Sequence, residues 1–78
     1  MSQEYLIRTG LIQEKRQRLM QVVVDAKAIL QALLNEATAA KIKPLREINT
    51  DSILSHAAAL KDKKQECTRL LDEIRELE

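Results

Sequence analysis

The chain has 78 residues, a single cysteine and almost no aromatic content beyond Tyr5, which allows one small domain, residues 1–78, with no internal disulfide to brace it. Charged residues make up 32% of the chain yet nearly cancel, leaving a net charge of +1, the balance of a long-helix protein. No apolar run is long enough to cross a bilayer, and Met1-Ser2-Gln3-Glu4 has no basic stretch leading into an apolar core, so a cytoplasmic chain without a leader or membrane anchor is expected.

The first predicted element is a helix over residues 2–40. Tyr5, Ile12, Leu19, Val23, Ala26, Leu30, Leu33, Ala37 and Ala40 fall largely at steps of three and four, with one heptad repeat between Tyr5, Ile12 and Leu19. That spacing keeps apolar side chains on one helical face, and a sustained seven-residue repeat makes the face a seam for another helix. Ser2 can cap the first turn and Glu4 suits its positive dipole end. Gly10 is the weak point, costing about 1 kcal/mol relative to alanine.

Pro44 breaks the pattern. It lacks a backbone N–H and disfavours helical angles at Lys43, so residues 41–49 form a loop. The second helix spans residues 50–77, opening at Asn49-Thr50-Asp51-Ser52, four residues that favour N-caps. With Asn49 as the cap, Ile48 and Ile53 occupy the positions of a hydrophobic staple; Thr50 is the alternative cap. The second stripe is Ile53, Ala57, Leu60, Cys67, Leu71 and Ile74, with Lys64 on the same line.

The fold class is therefore all-α: an antiparallel helical hairpin, with assembly into a four-helix bundle or antiparallel coiled coil expected. A loop centred near residue 45 puts Leu33 beside Ala57, Leu30 beside Leu60, Ala26 beside Lys64, Val23 beside Cys67 and Leu19 beside Leu71. A second register, slid by one heptad, also works. The acidic end (Asp72, Glu73, Glu76, Glu78) then faces Lys15, Arg16 and Arg18. Each exposed pair is worth about 0–1 kcal/mol, but together they disfavour wrong pairings.

More apolar surface is present than two helices use. Met20, Val22, Ile29 and Leu34 flank the first stripe, and Leu54, Leu70 and Leu77 flank the second, the width expected inside a bundle of three or four helices. The longer first helix overhangs the second by about ten residues, carrying Tyr5, Leu6, Ile7 and Leu11. An isolated helical end is marginal in water unless something packs on it. These residues are the candidate partner-binding set, for a second copy (a homodimer) and/or another helical protein. Lys64 either sets the register as a polar seam residue or lies its stem along the seam with its ammonium in water.

A second candidate set is basic: Lys41, Lys43 and Arg46 at the loop, with Lys61 and Lys63 on the second helix. It could contact phosphates or an acidic partner. No stacking aromatic or groove-reading motif accompanies it, and Glu47, Asp51 and Asp62 dilute it. His56 and Cys67 are eleven positions apart on one helix, about 16 Å, too far to share a metal. No phosphate loop or nucleophile–base pair is present, so no cofactor, metal or small-molecule substrate is expected, nor catalysis. The expected function is a non-enzymatic interaction or oligomerisation module, of adaptor, chaperone-like or structural type. The alternative is a nucleic-acid-binding bundle using the basic loop end.

Overall fold

The computed structural model describes residues 3–78. Helix α1 spans Gln3–Ala40, a single 3₁₀ turn covers Leu45–Glu47, and helix α2 spans Thr50–Leu77. The expected cap at Ser2 lies outside the described residues. The hairpin measures 66 × 14 × 12 Å, close to the length of α1 alone, about 57 Å.

The turn forms where the chemistry of the loop dictates. After Ala40 the last carbonyls of α1 are met first by an α-helical bond, Lys41 N to Ala37 O at 3.1 Å, and then by tighter i→i−3 bonds, Ile42 N to Ala39 O at 3.4 Å and Lys43 N to Ala40 O at 3.1 Å. Pro44, at φ −57° and ψ 145°, then takes the chain out of helical space. Its carbonyl accepts from Glu47 N at 2.9 Å, which closes the 3₁₀ turn. Asn49 caps α2, its side-chain oxygen accepting from Ser52 N at 3.0 Å, while Ile48 before it and Ile53 after it are half-buried. The cap predicts a measurable cost: Asn49→Ala should lower stability by about 1 kcal/mol in denaturant titration, and Asn49→Asp should retain it.

The helices pack antiparallel about the expected centre. Lys15 pairs with Glu73, Asp25 with Lys63 and Glu36 with His56, and each pair straddles residue 45 almost symmetrically. The rotation of the helices about their own axes differs from the sequence expectation. The seam runs through Ile12, Lys15, Leu19, Val22, Ala26, Ile29, Leu33 and Glu36 on α1. On α2 it runs through Ile53, His56, Leu60, Lys63, Cys67, Leu70, Ile74 and Leu77, all buried or half-buried. Both series advance by alternating steps of three and four, as knobs-into-holes packing requires.

Most of the expected seam therefore keeps its place and the rest is displaced. Val22 and Leu70, assigned from sequence to the flanks of the seam as partner-binding residues, are 0% and 4% exposed and form the core with Ile74. Val23, Leu30, Ala37, Ala57 and Leu71, assigned to the seam, lie on its exposed edge. Lys64 likewise sits outside, and Lys63 is the lysine drawn into the seam. The cause is polar: Lys15, Glu36, His56 and Lys63 occupy core positions because each finds a partner across the hairpin, whereas an apolar template rejects them.

Candidate protein-interaction face

Rotating the seam by one flank gives the hairpin two unlike sides. On one, charges seal the joint between the helices. The Arg18 guanidinium donates to both oxygens of Glu66, Nε to Oε2 at 2.9 Å and Nη2 to Oε1 at 3.2 Å, the fork geometry that arginine and carboxylate favour. Lys15 Nζ donates to Glu73 Oε2 at 2.9 Å. Lys63 reaches Asp25 at 3.5 Å, and Arg69 lies 3.7 Å from Glu66 and 3.3 Å from Glu73.

These contacts act on the acids. The Gln21 amide, donating to Asp25 at 2.8 Å, holds that carboxyl below its ordinary pKa; burial opposes it, and Lys63 and Arg18 add to the lowering. For Glu73 the Lys15 hydrogen bond is the leading cause of the lowering, again against burial, with the Lys15 charge and Arg69 adding to it. A carboxyl depressed on folding contributes stability above its unfolded pKa and loses it as pH falls through the folded one. The melting temperature should therefore drop on acidification from the ordinary carboxylate range downward. Lys15→Gln should shrink the drop, and an unchanged pH profile in that variant would remove Glu73 from the account.

The other side is open. Val22, Val23, Ala26, Lys27 and Leu30 of α1 and Leu60, Lys63, Lys64, Cys67 and Thr68 of α2 line a groove of about 240 Å³. A second hollow continues it among Arg16, Leu19, Leu71, Ile74, Arg75 and Glu78, closed at its end by the 2.8 Å ion pair of Arg16 with Glu78. A wider hollow on the outer flank of α2 is walled by that helix alone, from Lys61 to Glu76, and has no floor from α1.

The remaining residues predicted to bind a partner divide. Met20, Leu34 and Leu54 are exposed, and Tyr5, Leu6, Ile7 and Leu11 are exposed along the overhang. Ile29 and Leu77 are half-buried in the hairpin's own seam. Leu6, Met20 and Leu34 are spaced by fourteen residues, two heptads, so the open side continues onto the overhang. Tyr5 is one heptad before Ile12 and prolongs the seam line beyond the end of α2.

Of the basic set, Lys41, Lys43 and Arg46 are exposed at the tip and form no ion pair among the described residues. The set is not one patch. Lys61 lies about 16 Å along α2 from its start, and Lys63 is turned to Asp25. Sequence reasoning missed Ile42 and Leu45, 88% and 84% exposed between the tip cations; they fall on neither stripe and give no periodic signal.

His56 is accounted for within the fold. Its Nδ1 lies 2.8 Å from Glu36 Oε2, a close contact across the hairpin whose geometry does not make a hydrogen bond. No group of three His, Cys, Asp or Glu residues is arranged to hold a metal among the described residues, and no described helix is long and apolar enough to cross a membrane. Comparison with family models, curated proteins and solved structures returned no match.

Proposed function

We propose that the chain is a non-enzymatic protein-interaction module whose open face accepts a further helix, from a second copy or another protein, to complete a helical bundle. One observation carries this reading: ion pairs seal one side of the hairpin while the other side is an apolar groove. The surface area supports it. A compact monomer of this mass would expose roughly 4,800 Å², whereas the hairpin exposes 6368 Å². The difference exceeds the ~800 Å² that each partner contributes to an ordinary interface. Binding is by helix-in-groove recognition, with apolar residues supplying affinity and rim charges orientation. The uncrosslinked Cys67 suits a reducing compartment such as the cytoplasm.

The test is association in solution, with itself or with an added synthetic amphipathic helix, followed by sedimentation and melting temperature. Leu30→Glu places a charge in the groove at an exposed position. It should abolish association and leave the hairpin's own helicity intact. Absence of any association in the unaltered chain would sink the reading. The unpaired cations at the tip favour a second reading, nucleic-acid binding through Lys41, Lys43 and Arg46.

A further inference from the structure

We propose that the occupant of the open face is an amphipathic helix of another protein with acidic residues on both flanks of its apolar stripe. The inference rests on the interaction reading above and is carried by how the hairpin sorts its charges. Lys15, Arg18, Lys63 and Arg69 are all matched by carboxylates on the sealed side. On the open side Arg16 is matched by Glu78 at the extreme end. Lys27, Lys64 and Arg75 line the groove and its continuation, and none of the three is in an ion pair among the described residues. A chain of net charge +1 thus presents an apolar groove with a cationic rim.

That rim selects among occupants. Lys27 stands on the α1 bank and Lys64 on the α2 bank, both near the middle of the hairpin. A two-fold dimer on this face repeats the same patch, so either orientation sets these lysines against those of the second copy, where desolvation strengthens repulsion. A bilayer suits the charge and not the shape. The groove is concave, floored by Val22, Ala26, Leu60 and Cys67, and a lipid surface would leave that floor uncovered. A helix lying between the banks covers it and, with carboxylates on both flanks, meets Lys27 and Lys64 at one level. From Arg16 to Ala37 the face runs roughly 30 Å, room for a helix of about 20 residues.

Two synthetic helical peptides of about 20 residues, sharing one leucine stripe and flanked by glutamates or by lysines, provide the test. Binding is read by fluorescence anisotropy at low and high salt, beside sedimentation of the chain alone and binding to vesicles of phosphatidylserine and phosphatidylcholine. The glutamate peptide should bind about tenfold tighter, from two or more rim pairs that together supply about 1.4 kcal/mol. High salt should narrow the gap. The double variant Lys27→Glu, Lys64→Glu, both exposed positions, should reverse the preference while far-ultraviolet circular dichroism stays unchanged. Equal affinity for the two peptides, or a preference the double variant does not move, overturns the inference and leaves the interaction reading standing. So does a dimer of the chain alone that Leu30→Glu dissolves. Vesicle binding without peptide binding assigns the face to lipid and overturns it as well. No binding to peptide, vesicle or itself overturns both.

Discussion

Val22→Asp should unfold the hairpin, whereas Leu30→Asp should leave it folded. Val22 is 0% exposed and Leu30 is 45% exposed, although they lie eight residues apart on one helix and both are apolar. An aspartate at Val22 would be buried without a partner, at a cost of several kcal/mol. Little stands against such a cost, because the buried apolar residues among those described are Val22, Leu70 and Ile74, and a domain this small has a thin margin. At Leu30 the carboxylate reaches water at the groove mouth, and the cost to the hairpin should stay near or below ~1 kcal/mol. Thermal melts at a concentration low enough to keep the chain monomeric separate the two. A larger loss at Leu30 than at Val22 would mean that the helices are rotated as the apolar periodicity alone suggests.

That pair of variants marks the boundary of what the sequence discloses. Helix ends, loop and antiparallel pairing were legible, because Pro44 and Asn49 are strong local signals and the acidic tail complements Lys15, Arg16 and Arg18. Lys15–Glu73 and Arg16–Glu78 at 2.9 and 2.8 Å realise that complement. The rotation was not legible from apolar residues. The line through Val23, Leu30, Ala37, Ala57 and Leu71 and the line through Val22, Ile29, Leu70 and Leu77 are about equally apolar. The doublets Val22-Val23 and Ile29-Leu30 satisfy both. What separates the lines is the polar residues between. Lys15, Glu36, His56 and Lys63 all fall on the second line, and each meets a polar partner across the hairpin, whereas the first line contributes Arg16 with Glu78 at its far end. Complementary charge at matched distance from the loop was the available signal. The first line leaves Val22 and Leu70 on the flanks of the seam and fills the groove with Val23, Leu30 and Leu71.

Deleting residues 3–11 should weaken binding of a long partner helix to the open face while leaving the hairpin's melting temperature nearly unchanged. The two halves of this result have separate causes. Every seam pair of the hairpin lies at or beyond Ile12, and Gln3–Leu11 are exposed throughout; nothing would even lie within 4 Å of a Cβ added at Gly10. The segment therefore adds helix without adding burial, and its removal takes about nine residues of helical signal and little stability. Tyr5 prolongs the seam line and Leu6 the line of Met20 and Leu34, so a bound helix longer than the groove would cover both. Losing that contact area should weaken binding of a long partner helix far more than of one trimmed to the groove, measured by the same anisotropy titration. Binding of nucleic acid through the tip predicts the opposite pattern. The truncation would leave affinity for RNA or DNA unchanged, and Lys41→Gln, Lys43→Gln and Arg46→Gln together would weaken it and flatten its salt dependence. An undiminished affinity for long helices after truncation would confine recognition to the groove between Arg16 and Ala37 and remove the overhang from the interface.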